Sequence, residues 1–215
     1  MSSEIQTLTS RFVAAQLQGD RSEGLRLIRE EGIDRGIPVP QLHEVLQEAQ
    51  YEIGRLWQEN RVSIAQEHLA TAISQLALAQ LYGHLPRAPR NGRRLLLSCV
   101  ENEQHDMGPR LLSDALEMAG FDVRYLGANV PTDSLISLLD ADRPDLLALS
   151  VTLTFNVPSL RAAVARVRER FGRLPIAAGG HAFRWSRALR GQLDVDVFGE
   201  GAGDLVPAIR EVLGV

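Results

Sequence analysis

Apolar residues in the first part of the chain recur at helical spacing. Phe12, Ala15 and Leu17 form one run, Leu25, Leu27 and Ile28 a second, and Val45, Ala49, Ile53 and Leu56 a third. A fourth passes through Leu69, Ile73, Leu76, Ala79 and Leu81. Such spacing gives each helix a face to bury. The breaks carry stop and start chemistry: Gly19-Asp20 after the first run, then Gly36, Pro38 and Pro40 after the second. Ser63, with Gln66 three residues later, has the pattern of a capping box and opens the fourth helix. Four helices joined by short loops predict an up-and-down four-helix bundle.

The pattern changes near residue 90. Pro86-Arg87-Ala88-Pro89-Arg90-Asn91-Gly92 has no apolar period and reads as a linker. Beyond it, short apolar runs alternate with amphipathic segments. Strands are predicted over 94–100, 122–126, 146–151, 175–178 and 194–198, and helices over 109–119, 132–139, 157–171, 182–190 and 203–213. This alternation predicts an α/β unit, a flavodoxin-like or Rossmann-like five-stranded parallel sheet with helices on both faces. The expected organisation is therefore a helical bundle over 1–88, acting as a cap, and a sheet domain over 93–215. In such sheets ligands sit beyond the carboxyl ends of the strands.

Composition narrows the chemistry. The 215 residues carry a net charge of −4, and all 23 basic residues are Arg. An acidic chain without Lys excludes imine chemistry and a Walker A loop, and it argues against direct nucleic-acid binding. With Cys99 as the single cysteine, no disulfide framework or Cys-rich zinc site is possible. The apolar runs are too short to span a bilayer and the first residues do not read as a signal peptide, so a cytoplasmic protein is expected.

Three segments at the predicted strand ends could carry chemistry. After the first strand come Glu103, His105 and Gly108. Glu103 could fix the tautomer of His105 and make its other nitrogen a better metal ligand, while Gly108 would allow a tight turn into the next helix. A solvated loop histidine beside acidic neighbours fits the same residues. One histidine cannot hold bare zinc, so a metal here should arrive inside a macrocycle. Ser150 and Thr152 follow the third strand, and Gly179-Gly180 the fourth, where a ligand could lie against bare backbone. Cys99 reads as a buried small apolar residue, and His43 as a surface or packing position.

In order and approximate spacing, Glu103-x-His105-x-x-Gly108, Ser150-x-Thr152 and Gly179-Gly180 resemble the signature of cobalamin-binding (vitamin B12) domains. The resemblance implies that His105 replaces the dimethylbenzimidazole as the lower cobalt ligand, with Glu103 as its hydrogen-bond partner. It also implies a slot for the displaced nucleotide tail lined by Ser150, Thr152, Gly179 and Gly180, with the 198–201 segment nearby. In the helical half, Trp57 followed ten residues later by Glu67-His68 resembles the cap of CarH-type adenosylcobalamin photoreceptors. There the tryptophan packs over the upper face of the cofactor and the Glu-His pair contacts its adenosyl group. Taken together, the resemblance implies a non-enzymatic light sensor in transcription regulation, using adenosylcobalamin; methylcobalamin and hydroxocobalamin are the other candidate forms. Corrinoid methyl carriers of methyltransferase systems share the two-domain layout and are the alternative.

Two features depart from the CarH pattern. Those regulators have a winged helix of the MerR class before the bundle, whereas this sequence opens on the first bundle helix. They also place a histidine beside the tryptophan as a second cobalt ligand after photolysis, and here that neighbour is Gln58. Output is therefore expected to run through a protein partner or a change of homo-oligomeric state.

Overall fold

A computed structural model describes residues 2–185 and 191–215. The chain forms two compact units, Met1–Pro86 and Arg87–Val215.

Among the described residues, the first unit contains four α-helices. Helix α1 spans Ser3–Gln18 and stops at Gly19, whose left-handed backbone (φ 68°) suits a residue without Cβ. Asp20 then caps α2 (Arg21–Arg26), its side chain accepting from the Glu23 N–H. This helix runs on as π-helical turns over Leu27–Ile33, which no sequence signal announced. Helix α3 covers Val39–Gln58, with Pro40 in its first turn. Helix α4 covers Ile64–Leu81 and begins with the predicted box: Gln66 N–H donates to Ser63 Oγ and Ser63 N–H to Gln66 Oε1.

The bundle buries Phe12, Leu27, Ile28, Leu42, Leu46, Ile53 and Ile73 almost completely. On α4 the predicted stripe is partly wrong. Leu69, Leu76 and Ala79 are exposed, while Ala70, Ile73, Ser74, Ala77 and Leu78 face the core. The helix is apolar nearly all round, so periodicity cannot select its inner face. A polar contact sits on that face: Gln16 Nε2 donates to Ala70 O and Ser74 Oγ.

The second unit is a parallel sheet of β1 (Arg94–Cys99), β2 (Asp122–Tyr125), β3 (Leu146–Ser150), β4 (Ile176–Gly179) and β5 (Val197–Gly199), in the order β2-β1-β3-β4-β5. Its helices are α5 (Met107–Met118), α6 (Thr132–Ala141), α7 (Val157–Phe171), α8 (Ala182–Trp185) and α9 (Ala202–Leu213). Of the helix predicted over 182–190, residues 186–190 lie outside the described residues.

Alternate residues along the central strands feed two cores. Leu96, Leu147, Leu149 and Ile176 pack with Leu135 of α6 and Leu160 and Val164 of α7. Leu95, Leu97, Leu146 and Ala148 pack with Leu116 of α5 and Ile209 of α9. Strand β5 starts three residues later than predicted. Asp194 and Asp196 turn their carboxylates onto Arg168, and Asp196 also accepts from the Ile176 N–H. Among the described residues, no helix is long and apolar enough to cross a membrane.

Candidate functional site

In this strand order the chain reverses direction across the sheet between β1 and β3, the switch point where such sheets leave a crevice at their carboxyl ends. The loop after β1 folds back into that end. Asn102 adopts a left-handed backbone (φ 71°), and its N–H donates to the Asn129 side chain at 2.8 Å. The Asn129 N–H in turn donates to Glu103 O at 2.8 Å. Tied in this way, the Glu103 side chain is fully buried.

Five donors converge on the Glu103 carboxylate. Oε1 accepts from the His105 backbone N–H at 3.0 Å and lies 2.6 Å from His105 Nδ1. Oε2 accepts from Thr152 N–H (2.8 Å), Leu153 N–H (3.0 Å) and Asn156 Nδ2 (3.0 Å). Burial pushes the carboxyl pKa up, but the hydrogen bonds from His105, Asn156 and the backbone outweigh it and hold the group at about 2. Glu103 is therefore an anion at neutral pH. Its partner His105 has a side chain about half exposed, 48% against 0% for Glu103. A carboxylate at Nδ1 keeps the proton on that nitrogen, which makes Nε2 the lone-pair donor a metal would take.

A second layer supports the same loop. Tyr125 Oη donates to Asp106 O at 3.3 Å, and Asp106 pairs with Arg110 at 2.7 Å. The Arg110 guanidinium lies over the Tyr125 ring, 5.6 Å from its centre. Cys99 is buried as expected, with Sγ 3.8 Å from His105 O, and burial pushes its thiol up to about 12.

The remaining predicted residues divide by what fills the space around them. Strand β3 ends at Ser150, which is buried; Thr152 lies past the ladder, in the segment that closes over Glu103. Gly179 and Gly180 are required by the protein itself. A Cβ on Gly180 (φ 116°) would stand 2.2 Å from Val151 O, and one on Gly179 would stand 2.9 Å from Gly199 O. Neighbouring backbone thus demands glycine at both positions whether or not a ligand lies there.

Gly108 behaves in the opposite way to its prediction. It sits in the first turn of α5 without a positive φ, and a Cβ there would meet nothing within 4 Å. No turn demands glycine at this position. A single histidine nitrogen, with open space at the backbone three residues on, would fit a metal carried in a macrocycle. Among the described residues, no three His, Cys, Asp or Glu gather to hold a bare ion.

Asn156 was missed by sequence reasoning. Placed just before α7, it reads as a helix cap, yet its side chain makes no cap bond and reaches Glu103 Oε2 and Asn102 O instead.

In the helical unit, Trp57 lies near the end of α3 with 43% of its surface exposed, and Gln58 is the last residue of that helix. Glu67 and His68 lie in the first turns of α4, with His68 Nδ1 2.5 Å from Glu67 Oε2. Thr71 Oγ1 donates to Glu67 Oε1 at 2.9 Å.

The profile of the B12 binding domain family matches residues 93–208, and a second B12 binding domain profile matches residues 9–82. The HTH-type transcriptional repressor CarH of Myxococcus xanthus is 34% identical over 165 residues, 75% of this chain and 54% of that protein. Dimethylamine corrinoid protein 1 of Methanosarcina acetivorans is 22% identical over 166 residues, 75% of this chain and 77% of that protein. The chain spans about half the length of the CarH and CarA repressors it matches, 54% and 41%. Among solved structures, the monomethylamine corrinoid protein of Methanosarcina barkeri superposes with a TM-score of 0.84 at 18% identity. The match covers 96% of this chain and 99% of that one, which shows a shared fold.

Proposed function

The chain belongs to the B12 binding domain family and binds cobalamin, and on that premise we propose that it is a regulatory photoreceptor that holds adenosylcobalamin base-off. The observation that supports base-off binding is the Glu103–His105 pair at the switch point, with Nδ1 engaged and Glu103 locked by five donors. His105 would supply Nε2 as the lower cobalt ligand, and Gly108 would leave room beside it. Ser150, Thr152, Gly179 and Gly180 would line the path of the nucleotide tail. Trp57, Glu67 and His68 would recognise the upper ligand.

Adenosylcobalamin supplies a cobalt–carbon bond that visible light breaks. The protein's part is to make the contact with the upper ligand matter. If Trp57, Glu67 and His68 bind it in one state of the chain and not in another, its loss shifts the balance by that difference alone. Couplings of this kind are typically about 1–3 kcal/mol. The output would be a changed contact with a protein partner or with another copy of the chain. Regulation without catalysis is the reading favoured by the 34% identity to CarH.

A second reading, a corrinoid protein carrying methyl groups for a methyltransferase, is favoured by one observation: the corrinoid-protein fold matches over nearly the whole of both chains. One experiment separates the two. The protein is loaded in the dark with adenosylcobalamin or methylcobalamin, and its spectrum and size are recorded before and after green light. The sensor reading expects a light-driven change of both with adenosylcobalamin. Indifference to light, together with methyl turnover beside a methyltransferase, sinks it.

A further inference from the structure

Glu67 is held on both sides, by its motif partner His68 and by a residue outside that motif, Thr71. His68 engages Oε2, while Thr71, one turn further along α4, donates to Oε1 at 2.9 Å. Thr71 Oγ1 also stands 3.2 Å from Gln50 Oε1 on α3. A hydroxyl has one proton and cannot donate fully to two acceptors. The nearer, charged carboxylate is the stronger acceptor and takes it. That leaves two oxygens facing each other with no hydrogen between them.

The other end of the Gln50 amide has the complementary problem. Nε2 is buried with no hydrogen-bond partner among the described residues. Turning the amide by 180° settles both conflicts, because Nε2 then donates to the lone pair of Thr71 Oγ1. The oxygen moves to the buried position, where an unfilled acceptor is tolerated better than an orphaned donor.

We propose that Gln50 and Thr71 are positioning residues for Glu67, forming a relay in which Gln50 Nε2 donates to Thr71 and Thr71 donates to the Glu67 carboxylate. The relay ties the carboxylate across α3 and α4, so it meets a hydroxyl-bearing upper ligand in a fixed orientation. A group ordered beforehand does not lose that freedom on binding. The inference rests on the reading that Glu67 contacts the upper ligand.

The test is the ratio of dissociation constants for hydroxocobalamin and adenosylcobalamin, titrated spectrally in the dark. Thr71→Val should reduce the preference for the adenosyl form by roughly three- to tenfold, the scale of one ordered side chain. Thr71→Ser should restore it, and hydroxocobalamin binding should not move. Gln50→Leu should act in the same direction and less than additively with Thr71→Val, since both break one chain of bonds.

Glu67→Gln is the reference. If it shifts the ratio and Thr71→Val does not, the relay is wrong and the upper-ligand reading stands. If Glu67→Gln itself changes nothing, both fall. A measurement without cofactor covers a variant that fails to fold: proton NMR contacts should run from the Gln50 NH2 group to Thr71. Their absence overturns the amide orientation and the relay with it.

Discussion

Glu103→Gln is the most informative single substitution, because it changes charge and proton inventory while keeping the shape of the side chain. Three of the five donors converge on Oε2, from Thr152, Leu153 and Asn156, so the new amide should present its oxygen there. Its NH2 group then faces the His105 backbone N–H, donor against donor, and His105 Nδ1. The three bonds to oxygen lose their charge assistance at about 1 kcal/mol each, and the orphaned N–H adds to this, while burying an uncharged group gives some back. The net loss should be about 3 kcal/mol.

Proton linkage gives a loss of the same size. A carboxyl lowered from 4.5 to about 2 corresponds to at most roughly 3 kcal/mol at 1.36 kcal/mol per pH unit. The folded-state value lies below the unfolded one, so this stability is fully present above pH 4.5. It is lost as pH falls from 4.5 toward 2. Denaturant unfolding of the cofactor-free protein at pH 7 and near pH 2.5 should show a wide gap between wild type and variant at pH 7 that narrows in acid. The histidine ring should also respond, since Nδ1 can accept from the new NH2 only by moving its proton to Nε2, which removes the metal-binding lone pair. With hydroxocobalamin the variant should lose the histidine-ligated spectrum. A wild-type unfolding midpoint at pH 7, or a gap unchanged by acid, would refute the clamp.

Four further outcomes follow from the packing. Gly108→Ala should leave stability level or raise it by up to about 1 kcal/mol, as alanine is the better helix former, yet weaken cobalamin binding; Gly180→Ala should fail to fold, because its Cβ would strike Val151 O. Thermal melts and spectral titration read both. Cys99, with its thiol pushed up to about 12, should react with a disulfide reagent at pH 8 only as fast as the sheet unit opens, so rapid labelling of the folded protein contradicts its burial. Ser63→Ala should destabilise the helical unit by about 1 kcal/mol through loss of the α4 cap, read as a lower unfolding midpoint.

Much of the fold was legible because its signals are local. The capping box at Ser63, the stop at Gly19 and the 157–171 helix follow from neighbours a few residues apart. The inner face of α4 was not legible, because a helix that is apolar nearly all round offers no stripe, and the choice was made by packing against α1 and α3. The π-helical turns after α2 left no pattern in residue types. At the site, Glu103 and His105 are two residues apart and could be paired on paper. Asn156 stands 53 residues from the carboxylate it donates to, and only the pairing of β1 with β3 brings the two together.

The same distinction between local and long-range cause decides what the glycines mean. Gly179 and Gly180 stand in the signature, but neighbouring backbone explains both without any ligand. A protein with this sheet and no cofactor would need them as much. Gly108 has no such explanation, and neither does a buried carboxylate given five donors whose one half-exposed partner is a histidine ring. Burying that anion carries a desolvation cost that the five donors must offset before the group adds anything to stability. What the arrangement does serve is the orientation of His105. The weight of the cofactor reading therefore lies on Gly108 and the Glu103 clamp, and substitutions at Gly179 or Gly180 cannot test it.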